Sequence, residues 1–217
     1  MKKLIITILL IQMTFAGIVV LWNNQPETKE NYVAASIDHI SYNEIYLEKT
    51  TIIPERIVLD IPLILQRPTL PTGCEIVSTT MMMAYNEVDI SEADLAKEIP
   101  YDDNDPSIGY IGNPFSTGGW TIYPEALISP LYKYLPTVQV LKENDISQIK
   151  EQLAKEKPVV VWLSGMHGFT VHSVIISGFD QTGLYYNDPW TGEKNARISN
   201  SEFLKMWENQ DYRALSY

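Results

Sequence analysis

The last third of the chain leaves little freedom in how it can fold. From Pro158 onward four strand-like segments follow one another, PVVVWL, TVHSVIISGF, LYYND and YRALSY, with a capped helix, SNSEFLKMWEN, between the last two. Their connections are too short for crossovers, and parallel neighbours need a dozen or more residues between them, so these strands must pair antiparallel. Helical patterns gather earlier. One runs from about Gly73 to Asn86, a short one is SEADLAKEI entered at Ser91, and one lies around Pro124–Leu135. Another, ISQIKEQLAKE, is entered through Asn144 or Asp145 and places Ile146, Ile149 and Leu153 on one face. Shorter strands are expected in RIVLDIPLIL and TVQVL. Helices early and strands late predict an α+β domain, with N-terminal helices packed on a C-terminal antiparallel sheet.

Before that domain, Lys2 and Lys3 precede 19 uncharged residues from Leu4 to Trp22, about the length that spans a bilayer. The run exceeds a usual signal-peptide core and no A-x-A site closes it. It reads as an uncleaved signal anchor, with a cleaved signal peptide as the alternative, and the lysines would leave everything after Trp22 outside the cytoplasm. Residues 23–55 are polar and weakly patterned, as in a stalk, which leaves 56–217 as the folded domain. Hydrophobic residues make up 45% of the 217, enough for a sizeable core. A net charge of -11 excludes nucleic acid as an expected partner, since phosphate binding needs basic patches.

Export makes the single cysteine informative, because outside the cytoplasm cysteines are normally paired. Cys74 sits in QRPTLPTGCE, at the expected entrance of the first helix. Thr72 and Glu75 have the T-x-x-E spacing of a capping box, in which each side chain satisfies a free backbone N–H. A thiol in that first turn would feel the positive end of the helix dipole and ionise more easily. Cys74, Val77, Met81 and Ala84 would share a helix face, and the Met81-Met82-Met83 triplet reads as core filling.

A thiol nucleophile needs a base, and the base an orienting group. Of three histidines, His39 lies in the stalk and His167 in the glycine-flanked loop SGMHGF, which reads as mobile rather than catalytic. His172 begins a strand. Asp188, sixteen residues on, would lie directly opposite it in a hairpin centred near Asp180. Gln66 could donate an amide N–H to an oxyanion, beside the backbone N–H of Cys74. The long loop from Tyr101 to Trp120 suggests a substrate-covering role, and its acidic cluster does not fit an EF-hand because Ile108 stands where glycine is required.

These segments together resemble a known family. QRPTLPTGCE before a helix, then VHSVIISGFD, then YNDPWTG, with GYIGNPFSTGGWTIYPEAL between, is similar to the stand-alone branch of cysteine-peptidase family 39. That family is named for bacteriocin-processing peptidases that cut after double-glycine leaders, and the resemblance covers about Ile57 to Tyr217. It implies a papain-like fold, with Cys74 as nucleophile, His172 as base, Asp188 as its orienter and Gln66 in the oxyanion hole. It implies no cofactor and no metal. The expected activity is hydrolysis of peptide amide bonds in a peptide or protein substrate, with the membrane as partner of the N-terminal segment. The rival readings are a catalytically silent surface module that binds peptides or wall fragments, and an acyltransferase or deamidase using the same thiol.

Overall fold

Strand β5 (Val159–Leu163) and strand β6 (His172–Phe179) are buried along their whole length and form the middle of the domain. Their β-branched and aliphatic residues suit a strand covered on both faces. They pair antiparallel, with Val161 opposite Val174 and Leu163 opposite His172. The structure, a computed structural model, describes residues 53–217. The expected membrane segment at 1–22, nearly all of the stalk and His39 lie outside the described residues. Among the described residues no helix is long and apolar enough to cross a membrane.

Around that pair the sheet is completed by β1 (Ile57–Val58), β4 (Gln139–Leu141), β7 (Gly183–Asn187), β8 (Ala196–Ser199) and β9 (Ala214–Ser216). The order is β4-β9-β5-β6-β7-β8, every pair is antiparallel, and β1 adds to the far end of β6 at Gly178 and Phe179. Strand β8 was not among the expected strands; only Ile198 of its four residues is buried, so it carries little hydrophobic pattern. The loop from Tyr101 is not wholly irregular, since β2 (Tyr101–Asp102) and β3 (Tyr110–Ile111) pair within it.

The helices are α1 (Cys74–Tyr85), α2 (Glu92–Glu98), α3 (Pro124–Tyr132), α4 (Ile146–Ala154) and α5 (Asn200–Glu208). Three begin on side-chain caps. Ser91 accepts from Asp94 N–H at 3.1 Å, Asp145 from Ser147 N–H at 2.9 Å and Ser199 from Glu202 N–H at 3.2 Å. Such caps satisfy donors that a helix start otherwise leaves free. Helix α1 has no side-chain cap and departs from an amphipathic pattern. Every residue from Cys74 to Met83 is buried, which marks it as a central helix packed on β5 and β6. The three methionines are fully inaccessible, in keeping with core filling. Ser78 Oγ donates to Ser173 O at 3.1 Å, pinning the helix to the strand one residue beyond His172.

Candidate active site

The entrance to α1 is built differently from the expected capping box. Gly73, not Thr72, is the N-cap, and neither partner of the box serves it. A Cβ at Gly73 would come within 2.8 Å of Leu70 Cβ, so the tight approach to the helix admits only glycine without a shift. The Thr72 hydroxyl instead donates to Ser116 O at 2.9 Å, and the Tyr110 hydroxyl donates to Thr72 O at 2.6 Å. These bonds fasten the 101–120 segment onto the cysteine loop. Glu75 turns inward, fully buried, where it accepts from the Thr121 hydroxyl. Its other oxygen has no partner, and burial raises its carboxyl to about 7 against the pull of the Thr121 bond.

Cys74 is buried, with 7% of its surface exposed, and what remains opens on a cleft. The cleft has a volume of about 150 Å³, which suits a benzene-sized group. Gln66, Cys74 and His172 line it together with Trp120, Phe169 and Trp190. Burial pushes the Cys74 thiol well above its ordinary value and the charge of Glu75 adds to that, while the Ser173 backbone N–H directed at sulfur works against both. The expected dipole-activated thiolate is therefore corrected. Burial acts against the ease of ionisation expected at a helix start and raises the thiol.

His172, the first residue of β6, lines the cleft and is 2% exposed. Its Nε2–H donates to Asp188 Oδ1 at 3.0 Å. A carboxylate only accepts, so the facing ring nitrogen carries a proton, and Nδ1 is the ring nitrogen turned away from Asp188. The route to that contact differs from the expected hairpin. The turn is centred between Gln181 and Thr182, with Asp180 N–H bonded to Gly183 O at 3.0 Å, and a bulge interrupts the register between Ile176 and Gly178. Beyond it Ile175 faces Asn187, the last residue of β7. Continued by one residue, that register sets Asp188 level with Val174 rather than His172. The offset is two residues, which keeps both side chains on one face, and diagonal neighbours at this spacing remain in reach.

Asp188 is fully buried just past the strand end. Its Oδ1 also accepts from Trp190 N–H at 2.8 Å, and its own N–H bonds Glu193 O at 3.0 Å. Burial alone would raise this carboxyl. The hydrogen bonds and charge of His172, then the bonds from His167 and Trp190, outweigh it and hold Asp188 well below the usual carboxylate range.

His167 is the residue that sequence reasoning set aside. It lies in the 3-10 turn Met166–Gly168, and its Nε2–H donates to Asp188 Oδ2 at 2.7 Å. The signal that could have found it is the pair of glycines around it, which here permit a turn aimed back at the sheet. His167, His172 and Asp188 offer ligand atoms within 4.8 Å of one another. The Nε2 of each ring already faces its own Asp188 oxygen at hydrogen-bonding distance.

Gln66 approaches from the other side. Its backbone N–H donates to Pro189 O at 2.9 Å, tying it to the residue after Asp188. Its Nε2 donates one proton to Pro71 O at 2.9 Å, leaving the second N–H of the amide for the cleft. The structure thus brings Gln66, Cys74 and His172 to one small cleft, with Asp188 buried behind His172, from three separate parts of the chain.

Comparison with known proteins gives this geometry a context. The sequence profile of the Peptidase_C39 like family matches residues 58–215. YvpB of Bacillus subtilis (strain 168), a protein described as uncharacterized, is 28% identical over 181 residues, covering 68% of this chain and 70% of its own. The chain is also similar to a crystal structure of a Bacillus anthracis protein assigned as a C39-like peptidase, with a TM-score of 0.71 and 25% identity over 76% of this chain and 98% of that one. A double glycine motif protease from an AMS/PCAT transporter, solved with its leader peptide, matches with a TM-score of 0.47 and 17% identity over 73% of this chain and 91% of that one.

Proposed function

The chain belongs to the Peptidase_C39 like family, with a papain-like α+β fold, and from that premise we propose that it is a cysteine peptidase using Cys74, His172, Asp188 and Gln66. One observation carries the proposal. A buried histidine–carboxylate pair at 3.0 Å shares a cleft with the lone thiol, and its geometry leaves His172 Nδ1 free to act as base.

In this reading the thiol, which burial raises, gives up its proton to His172 in the step that attacks the substrate. His172 Nδ1 takes the Cys74 proton as sulfur attacks the scissile carbonyl carbon. The carbonyl oxygen becomes the oxyanion and receives the free N–H of Gln66 and the backbone N–H of Cys74. Collapse of the tetrahedral intermediate breaks the C–N bond, and His172 returns its proton to the leaving amine. Water, deprotonated by the same nitrogen, then releases the acid and restores the thiol. Asp188 keeps Nε2 protonated throughout and stabilises the imidazolium that forms. The raised thiol also favours a second reading, a silent peptide-binding module on the same fold.

A mixture of peptides of random sequence, profiled for new termini, decides between the two. Wild-type protein should generate them, and Cys74→Ala and His172→Ala should each lower the rate by at least about a hundredfold. Cleavage that survives Cys74→Ala would sink the peptidase reading. We place the domain outside the cytoplasm, tethered through residues 4–22, on the strength of the charge-free run behind two lysines. The domain should be digested by protease added to intact cells and should stay in the membrane fraction after alkaline washing. Release into the medium would favour a cleaved segment.

A further inference from the structure

We propose that His167 is a positioning residue of this reaction, holding the Asp188 carboxylate in the plane from which it orients His172. The inference rests on the peptidase reading for its consequence and on geometry for its substance. The two oxygens of Asp188 are supplied unequally. Oδ1 accepts from His172 at 3.0 Å, from Trp190 N–H at 2.8 Å and from Thr191 N–H at 3.4 Å. Oδ2 has one partner among the described residues, His167 at 2.7 Å. Without it, a charged oxygen inside the protein would have no donor, and buried polar groups are expensive to leave unpaired. The carboxylate would also lose what fixes its rotation, since the torsion about Cβ–Cγ of aspartate is intrinsically broad.

The chain is shaped to make this contact. His167 has φ 52° and ψ 17°, a left-handed conformation that costs a non-glycine residue energy. It is flanked by Gly165 at φ 87° and Gly168 at φ 82°, and a Cβ on either would meet nothing within 4 Å. Those glycines therefore serve backbone conformation, not crowding. The turn is closed by Gly168 N–H to Gly165 O at 3.1 Å and Gly165 N–H to Phe169 O at 2.8 Å. It sends the imidazole back over the sheet end, edge-on to His172 with ring centroids 5.6 Å apart. With its side chain 30% exposed, His167 adds little to the core, which points to the hydrogen bond as the reason for the strained turn.

His167→Ala removes the donor, while His167→Gln keeps an N–H at similar reach. Labelling of Cys74 by a peptidyl epoxide should slow about tenfold in the alanine variant and stay within about twofold of wild type in the glutamine variant. In parallel, the NMR signal of the His172 ring proton bonded to Asp188 should broaden by faster solvent exchange in the alanine variant only. An alanine variant that labels at the wild-type rate with an unchanged ring proton would overturn the proposal. So would a glutamine variant as slow as alanine when both melt at the wild-type temperature. Should the wild-type thiol resist the probe altogether, the peptidase reading is what fails. The ring proton then decides alone: unchanged in the alanine variant, it overturns the positioning role, and broadened, it supports it.

Discussion

Glu75 is a carboxyl group kept wholly out of water next to the thiol of Cys74, with one oxygen on the Thr121 hydroxyl and the other unpaired. Its pKa moves from 4.5 to about 7, chiefly through burial. Two consequences follow from the sign of that shift. The folded state binds the proton more tightly than the unfolded chain, so the contribution to stability is fully present below pH 4.5 and is lost as pH rises through about 7. A shift of this size corresponds to about 3 kcal/mol. Glu75→Gln keeps an acceptor for Thr121 and removes the titration. The stability difference between variant and wild type should therefore grow in favour of the variant from pH 5 to pH 8, by up to about 3 kcal/mol in paired denaturant titrations. A difference that stays flat with pH would show that Glu75 is not titrating in this range. The second consequence concerns the thiol, whose pKa the ionised Glu75 raises. Alkylation of Cys74 by iodoacetamide at pH 8 should be several-fold faster in the variant, and the gap should close at pH 5.5, where the wild-type Glu75 is protonated and as uncharged as the glutamine.

At the level of elements, the clearest divergence between pattern and structure is the start of α1. The T-x-x-E spacing assigns Thr72 to the helix, whereas its hydroxyl reaches across to Ser116 O at 2.9 Å and takes the Tyr110 hydroxyl at 3.1 Å. The two assignments predict different lesions. Thr72→Ala should raise amide hydrogen exchange in residues 113–120 and leave the first turn of α1 protected. Exchange rising in residues 75–78 instead would restore the capping reading. Motif spacing misled here because a capping box depends on side-chain direction, and burial of Glu75 beside Thr121 turned that side chain the other way. Where caps faced solvent, at Ser91, Asp145 and Ser199, local pattern and structure agree. The pairing of His172 with Asp188 was legible as a contact but not as a register. The bulge near Ser177 and the turn centre shifted it by two residues, an even number that kept the face. Nothing in SGMHGF announces which way its imidazole points. That direction comes from three positive φ values; Gly165 and Gly168 suit two of them, but the third, at His167 itself, is not a preference of its residue type.

The whole molecule depends on a contact that no local pattern carries. The final strand, β9, does not extend the sheet at an edge but lies between β4 and β5, with Leu215 opposite both Val140 and Val160. All three of its residues are buried, and Ser216 Oγ donates to Pro158 O at 3.0 Å. Sequence pattern identifies YRALSY as a strand yet cannot choose its neighbours, because the partners lie about 55 and 75 residues upstream and pairing over such distances is decided by the assembled core. Deleting residues 214–217 would expose one whole edge of β5 and leave β4 with nothing to pair. The loss extends to the site, since β5 holds β6 in place through Leu163 opposite His172. Residues 53–217, by contrast, contain the sheet, its helices and the cleft within one compact unit. A protein of residues 53–217 should unfold in a single cooperative thermal transition and retain Cys74 labelling by the epoxide probe, and one of residues 53–213 should show no such transition. A cooperative transition in the shorter protein would mean that β5 and β6 hold their register without β9. The position of His172 would then be held by its pairing with Leu163 and by the bond from Ser78 to Ser173, with no contribution from β9.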